Sequence, residues 1–493
     1  MSQLTQEGGV EQNTPNLVHI ILDEEVATNI PEDNLDELTN RELNGWKLYQ
    51  IGSGAFTPMQ TIMIFVLTTL VAESGFELDR QTPCKTEVAG YKCVNKFVFW
   101  YIDTSNYNRY IFAITTVVQC ILFLFLGSLA DFGGYRKKFL FFFSYVGAFA
   151  AVLFLLVLNP QLYWLAGLLS ITAIACTQIA IVFYFAYIPT YTRLHPEVIE
   201  SKASHLPLEE ITKVQDKVST SFTTHSMGIS FISFIINCLA QIGIGISMNH
   251  TLYSQSVSIA FSGIWGIIFY TIPFYFMRNR ENPPLPSGQK FYTYSIKRFF
   301  HTLPKLYHLK EFSKYLIASL LIGDSMANHL GTMTTLVMQL QPSFTLSEVA
   351  IGAIIFPIGG FFGVYLFLFI QKKFGLSVKA IMLISVGCYS LVQIFELLGH
   401  WAKPIDTFTN DGLYWFITVC SAICIGLIST YKRLLGASLM PPNADNEFTT
   451  LIGIMDNITS WITPLILVAI TDVSHVENGK VEGEIFVNRR KTK

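Results

Sequence analysis

Apolar segments long enough to cross a lipid bilayer recur from residue 52 to residue 470 of this 493-residue chain. The hydrocarbon core of a bilayer is about 30 Å thick, and an α-helix of about 20 apolar residues spans it. Eleven such spans are predicted, at residues 52–73, 108–130, 139–158, 161–190, 219–247, 255–277, 315–340, 347–370, 378–401, 412–430 and 448–470. The sequence therefore predicts an all-α polytopic membrane protein.

Composition supports this class and disfavours others. Hydrophobic residues make up 51% of the chain and charged residues 14%, whereas soluble domains carry roughly a quarter charged residues. A formal net charge of −2 supplies no basic surface for nucleic acid. The predicted spans contain no HExxH motif, Ser–His pair or pair of acids. We therefore expect the lipid bilayer and a small-molecule substrate as partners, and we expect neither enzymatic activity nor a resident cofactor or metal.

The loops differ strongly in their content of Lys and Arg, which predicts the orientation. With the N-terminus in the cytosol, 22 of these residues fall on the cytosolic side, and six fall on the other side before residue 471. Basic residues accumulate in cytoplasmic loops of membrane proteins. An N-terminus in the cytosol is therefore predicted.

Two features agree with this orientation. Asn249 begins the glycosylation sequon Asn-His-Thr in a short non-cytosolic loop, so it is a candidate glycosylation site. Cys84 and Cys93 lie in the first non-cytosolic loop, and their separation suits a disulfide in an oxidising lumen. The alternative for the cysteines is a pair of free thiols.

The chain divides into five predicted regions. Residues 1–44 carry ten acidic residues and one Arg, which is typical of a disordered cytosolic tail. Residues 45–277 form an N-terminal half with six spans, and residues 278–314 form a basic cytosolic linker. Residues 315–470 form a C-terminal half with five visible spans, and residues 471–493 form a polar tail. A long basic linker after the sixth span indicates two bundled halves.

The loop after the second predicted span resembles the signature loop of the major facilitator superfamily. The residues assigned to this cytosolic gating motif are Gly127, Asp131, Gly134, Arg136 and Lys137, together with Arg433 from the other half. Gly127 would let two helices approach closely. Asp131 would meet a helix N-terminus or a cation at the membrane surface. The resemblance implies a two-half helical bundle.

Further residues resemble the autophagy-related vacuolar amino-acid effluxers of fungi, a branch of that superfamily. They are Gly45, Trp46, Tyr49, Phe56, Pro83, Cys84, Lys92, Cys93, Asp103, Thr104, Ser105, Asp324, Ser325, Arg433, Pro441, Pro442, Asp456 and Pro464. The resemblance implies a multi-pass vacuolar membrane protein that exports small neutral amino acids to the cytosol after autophagic degradation. That family has twelve spans, so the missing twelfth span leads us to expect a truncated or misspliced chain; a diverged paralogue is the alternative.

Ionisable residues inside predicted spans are candidate transport residues because charge in a bilayer is costly. Asp324 and Asn328 share a face of the seventh span, and Asp456 and Ser460 share a face of the eleventh. We interpret these four as candidates for substrate or proton binding, and buried hydrogen-bonded side chains are the alternative. We interpret Glu396, near the end of the ninth span, mainly as a structural residue that reaches the membrane interface. His225 and His329 could accept protons, although a lone His on a helix is more often structural.

The resemblance favours amino-acid export over two alternatives. One is transport of another small solute. The other is a non-transporting membrane sensor with the same fold. The missing span would suit it, and so would two departures from the family: Phe185 stands at a polar position of the fourth span, and Thr223 stands where an Arg is expected in the fifth.

Overall fold

The computed structural model describes residues 37–77, 80–84, 93–97, 99–249, 251–280, 297–300, 304, 306–340, 346–401, 410–440 and 444–458. The predicted tail up to residue 36, most of the predicted linker and the end of the eleventh predicted span lie outside these residues. The polar tail of residues 471–493 lies outside them as well.

The described part of the N-terminal half contains nine α-helices. They are α1 (Asn40–Ser53), α2 (Phe56–Glu73), α3 (Tyr107–Leu126), α4 (Tyr135–Val152), α5 (Tyr163–Phe185), α6 (Tyr187–Arg193), α7 (Pro196–Ala203), α8 (Leu208–Ser247) and α9 (Leu252–Phe276). The C-terminal half contributes α10 (Lys310–Leu340), α11 (Leu346–Phe374), α12 (Val378–Trp401), α13 (Asp411–Ser438) and α14 (Asp445–Ile458).

Nine segments within the described residues are long and apolar enough to cross a membrane, and they coincide with nine of the predicted spans. The other two predicted spans overlap α10 and α14, the second of which the structure describes only to Ile458. Two predicted boundaries were wrong. The first spanning segment begins at Asn40, twelve residues before the predicted span, and Lys432 and Arg433 lie within α13 and not in a loop.

A small antiparallel sheet adds to the helices at one end of the bundle. Its strands are β1 (Val94–Phe97) and β2 (Trp100–Asp103), with Val94 opposite Asp103. We call this end the hairpin end. The opposite end carries the loop of residues 127–138, and we call it the motif end.

The N-terminal half is built around stacked aromatic rings. The ring of Tyr184 lies between those of Trp46 and Tyr49, at centroid distances of 4.5 and 4.8 Å. Tyr49 stacks in turn on Tyr270 at 4.8 Å. The four side chains come from α1, α5 and α9 and are fully buried. Trp46 Nε1 donates to the main-chain oxygen of Tyr184 at 3.1 Å, which satisfies its only polar group.

The C-terminal half uses small residues where helices cross. A Cβ added to Gly426 of α13 would lie 2.6 Å from the Cα of Gly360 in α11. Without a hydrophobic driving force inside the bilayer, such close backbone contact lets dispersion forces hold the helices together. This explains why α11 and α13 form an extensive helix pair.

Candidate functional site

The carboxylate of Asp131 holds the N-terminus of α14. Its Oδ1 accepts hydrogen bonds from the main-chain N–H of Asn446 at 2.9 Å and from the side-chain amide of Asn446 at 2.8 Å. Its Oδ2 accepts from the N–H of Glu447 at 2.9 Å. An acid at this position satisfies N–H groups that lack helical partners and faces the positive end of the helix dipole. Asp131 thereby attaches the second half of the chain to the first.

Asp445, in the first turn of α14, extends this contact. Its Oδ2 accepts from Nη2 of Arg193 at 2.5 Å and from Oγ1 of Thr190 at 2.6 Å. Nη2 of Arg136 lies 3.5 Å from Asp131 and 3.8 Å from Asp445. We call Asp131, Arg136, Arg193, Asp445 and Asn446 the motif gate. It joins the two halves through charges that are mostly buried.

Two glycines bring the helices together beside the motif gate. A Cβ on Gly127 would lie 2.6 Å from Cγ2 of Thr450 in α14. A Cβ on Gly453, one turn further along α14, would lie 2.8 Å from Cγ2 of Val182 in α5. Side chains at either position would push the halves apart.

Gly134 and Lys137 contact the residues that directly follow α9. A Cβ on Gly134 would lie 2.5 Å from Nδ2 of Asn279. Nζ of Lys137 donates to the main-chain oxygen of Met277 at 2.6 Å. These two residues of the predicted motif therefore fix the N-terminal half internally, whereas Gly127, Asp131 and Arg136 reach across to the other half.

Arg433 lies apart from the motif gate. Its guanidinium carbon stands 3.7 Å from the ring centroid of Phe185, and its Nη1 lies 3.5 Å from the sulfur of Met227. Both neighbours belong to the N-terminal half. Within the described part of the chain no ion pair engages Arg433. The structure thus places a cation between the halves against an aromatic ring and a thioether.

Asp456 forms an ion pair that the sequence reading missed. Its Oδ1 lies 2.9 Å from Nζ of Lys432 and accepts from Oγ of Ser319 at 2.7 Å. Tyr315 donates to the main-chain oxygen of Lys432 at 2.8 Å. The pair joins α10, α13 and α14 inside the C-terminal half. A Lys at the end of an apolar run, followed by an acid inside the next run, is the signal that could have indicated it.

Three of the four predicted transport residues, Asp324, Asn328 and Asp456, lie on two neighbouring helices, α10 and α14. Asp324 is half-buried on α10 and follows Gly323, where a Cβ would lie 3.3 Å from the Cα of Asp456. The residue that precedes Asp324 therefore packs directly against Asp456. Asn328 lies on α10, but its side chain is outside the described residues, and Ser460 lies outside them entirely.

The two predicted modification sites lie at the hairpin end. Cys84 and Cys93 form a disulfide in the structure, with their Cα atoms 5.8 Å apart. Phe76 forms bridges with both Pro83 and Val94, so the disulfide lies beside the small sheet. Asn249 is exposed just after α8, with a φ of +53°.

The sequence pattern of the family described as "Vacuole effluxer Atg22 like" matches residues 38–478. The chain belongs to this family. Effluxer relatives include "Autophagy-related protein 22" of Chaetomium globosum, 25% identical over 90% of this chain and 77% of the relative. "Autophagy-related protein 22-1" of Phaeosphaeria nodorum is 27% identical over 87% of this chain and 85% of the relative. The predicted family is confirmed.

Solved structures confirm the fold. The human organic anion transporter MFSD10 superposes with a TM-score of 0.55 at 10% identity, covering 86% of this chain and 92% of that one. A bacterial homologue of the iron transporter ferroportin gives 0.53 at 12% identity, with 86% and 90% covered. At such identities the likeness shows the fold alone. This effluxer is a multi-pass vacuolar membrane transporter with the major facilitator fold, and neither its family nor its fold is that of enzymes.

Proposed function

We propose that this protein exports small neutral amino acids from the vacuole lumen to the cytosol and so recycles the products of autophagic degradation. In this proposal the N-terminus and the motif end face the cytosol, and the hairpin end faces the lumen. The excess of Lys and Arg in the loops of the motif end supports the orientation.

The surroundings of Arg433 carry the proposal. Lys432, the neighbouring cation, is paired with Asp456 at 2.9 Å, whereas Arg433 rests on Phe185 and Met227. The charges of Lys432 and Asp456 cancel, so the positive charge of Arg433 remains at the contact between the two halves. A guanidinium offers a planar set of donors that fits a carboxylate with two parallel hydrogen bonds. Every free amino acid carries such a carboxylate.

The same neighbours favour an uncharged substrate side chain. Phe185 and Met227 are apolar, and Met adapts its shape to irregular contacts. A charged substrate side chain placed against them would lose hydration without a partner. Amino acids with small neutral side chains therefore suit this position best.

The motif gate supports a transport cycle that alternates between two open sides. In the structure, Asp131 and Asp445 hold α14 against α4 and α6 at the motif end. Export would require these bonds to break, so that the halves separate at this end and release the amino acid. Facilitators of this fold commonly move one half against the other around a central site.

The test uses purified full-length protein in proteoliposomes loaded with radiolabelled alanine. Alanine efflux should be inhibited by free neutral amino acids and not by their amides, which lack the carboxylate. Replacing Arg433 by Gln removes a charged donor. Such hydrogen bonds contribute about 1.5–3 kcal/mol, so apparent affinity for alanine should fall roughly 10- to 100-fold.

Lys314→Gln is the matched control, because Lys314 is an exposed cation at the start of α10. It should leave efflux unchanged. Equal inhibition by amino acids and their amides would contradict carboxylate recognition. Absence of any amino-acid movement in the unmodified protein would favour the sensor or another solute.

A further inference from the structure

Two ionisable side chains meet inside the C-terminal half, away from the motif gate and from Asp456. His329 lies on α10 and Glu396 lies on α12. Their side chains are 6% and 3% exposed, and Nε2 of His329 stands 3.9 Å from Oε1 of Glu396. The sequence reading treated each as a structural residue on its own helix; the structure brings them together.

Glu396 is unusual because neither carboxyl oxygen has a hydrogen-bond partner among the described residues, although both are buried. An ionised carboxylate without hydrogen bonds in an apolar medium is very costly. The carboxyl group can remain there as a neutral acid, with a proton on one oxygen. Burial and the absence of a hydrogen-bond partner among the described residues therefore favour a pair that holds a proton in this conformation.

His329 is oriented for exchange with that carboxyl group. Nε2 of Gln393 lies 3.0 Å from Nδ1 of His329, and the ring of Tyr389 packs against the imidazole at 5.7 Å. When the Gln393 amide donates to Nδ1, the ring proton of neutral His329 sits on Nε2, facing Glu396. The imidazole can then donate to the carboxylate once that oxygen loses its proton.

The pair has no cation beside it in the described part of the chain. Titratable or charged groups on the helices around it include Asp324 on α10, Cys388 and Tyr389 on α12, Tyr414, Cys420, Cys424, Tyr431, Lys432 and Arg433 on α13, and Asp456 on α14. Lys432 is held by Asp456. Charge at Glu396 is therefore balanced by His329 or by a proton, and by nothing else described.

We propose that the His329–Glu396 pair is a proton-binding site that gains and loses one proton in each transport cycle. In the loaded state the proton is on Glu396, His329 is neutral, and the pair carries no net charge. On release, the proton passes to water. The distance between Nε2 of His329 and the Glu396 carboxylate then shortens, and the carboxylate accepts a hydrogen bond from Nε2. The pair then carries one negative charge.

The position of the pair indicates the side from which the proton comes. Glu396 lies five residues before the last residue of α12, Trp401. The first residue of that helix, Val378, donates its N–H to Asp216 near the start of α8, at the motif end. The pair therefore lies nearer the hairpin end, which faces the lumen in the proposed orientation. Protons would enter from the lumen and leave towards the cytosol together with the amino acid.

The first test separates proton coupling from substrate binding and rests on the proposed export activity. Proteoliposomes with full-length protein are assayed with radiolabelled alanine in two modes, exchange without a gradient and net movement driven by a pH gradient. If one proton moves with each alanine, a difference of one pH unit across the membrane should drive about a tenfold concentration ratio of alanine in vesicles that contain the unmodified protein. Glu396→Gln should keep exchange and lose the response to the gradient.

Glu311→Gln is the matched control, because Glu311 is an exposed acid at the start of α10 that pairs only with Lys314 among the described residues. It should keep both modes. A Glu396→Gln protein that still accumulates alanine with the gradient would overturn the proposal. So would loss of exchange together with the gradient response, because that pattern indicates a structural or substrate-binding role.

A second test needs no transported substrate. Infrared difference spectra of the purified protein in lipid nanodiscs, recorded between acid and alkaline pH, should show a protonated carboxyl band that Glu396→Gln removes and Glu311→Gln keeps. If Glu396→Gln does not fold, His329→Gln should shift the pH at which the band disappears. A spectrum without such a band would overturn the proposal, even in a protein that exports alanine. Its presence in a protein that moves no amino acid would refute the proposed function alone.

Discussion

Asp131 and Asn446 lie 315 residues apart in the chain, yet one carboxyl oxygen of Asp131 accepts hydrogen bonds from both the main chain and the side chain of Asn446. The first residue ends the turn after α3, and the second lies in the first turn of α14. The contact therefore couples the loop between two N-terminal helices to the start of a C-terminal helix. Separation of the halves at the motif end must break it.

Replacing Asp131 by Asn should make the motif end open more often. The change removes the charge that faces the N-terminus of α14 and Arg136, and the loss of a helix cap alone costs about 1 kcal/mol. We expect a cysteine introduced at Thr450, which packs against Gly127, to react with a soluble thiol reagent several-fold faster in the Asp131→Asn protein, because about 1.4 kcal/mol corresponds to tenfold in population. The measurement is the labelling rate by mass spectrometry.

Glu209→Gln provides the comparison for this experiment. Glu209 is an exposed acid near the start of α8 that pairs with Lys213 one turn away. Its loss should not alter labelling of the cysteine at position 450. An Asp131→Asn protein with the same labelling rate as Glu209→Gln would show that the cap does not hold the gate closed.

The Lys432–Asp456 pair should behave as a unit. Removal of one partner leaves the other charge without its counterpart in a mostly buried site. Breaking a fully buried pair costs about 3–5 kcal/mol of folding stability. The cost here should be smaller, because the side chain of Asp456 is 27% exposed. Lys432→Met and Asp456→Asn should each lower the melting temperature in detergent. The double variant should recover part of the loss. Size-exclusion chromatography after heating would measure this, and a double variant as unstable as the sum of the singles would contradict it.

Cys84 and Cys93 should be recovered as one linked peptide pair when the purified protein is digested without reduction. Six other cysteines are free in the structure, so alkylation of the unfolded, unreduced protein should label six thiols and reduction should expose two more. Intact mass before and after reduction gives the count. Labelling of all eight without reduction would mean that the hairpin end carries no disulfide.

Asp324→Asn should reach the membrane at normal abundance and yet lose alanine efflux. The substitution keeps size and hydrogen-bonding capacity but removes a charge beside Gly323 and Asp456, where α10 meets α14. Ser325→Ala is the comparison, because the Ser325 side chain is exposed and its main-chain oxygen still accepts from Tyr389. Vesicle efflux normalised to protein abundance is the measurement. Full activity of Asp324→Asn would assign this residue a structural role.

The spans could be predicted because long apolar runs have one physical solution in a bilayer, namely helices that satisfy their own backbone. The loop of residues 127–138 indicated an acid that meets a helix N-terminus, but not which helix. That partner, α14, begins more than 300 residues later, and no local pattern encodes such a distance. The strands β1 and β2 were missed because the apolar run of residues 97–102, which crosses from one strand to the other, shows no clear period of two.

The two pairs of ionisable side chains inside the C-terminal half could not be predicted for a related reason. Lys432 and Asp456, or His329 and Glu396, become partners through the rotation of each helix about its axis and the angle at which helices cross. Packing against neighbouring helices sets those angles, as at the close contact of Gly360 with Gly426 between α11 and α13, and the pattern of one helix does not determine them. Sequence identified three of the four residues as notable but could not pair them.

The stacked rings of Trp46, Tyr184, Tyr49 and Tyr270 limit how this transporter can move. Sliding α1 past α5 would unstack two flat contacts at once, and sliding it past α9 would unstack another. Closely packed interiors do not deform continuously. The six spans of the N-terminal half should therefore travel as a single piece. The rate of the transport cycle is then set by the few polar bonds between the two halves. Substitutions of those polar residues should therefore change turnover far more than substitutions within the aromatic stack that preserve its shape.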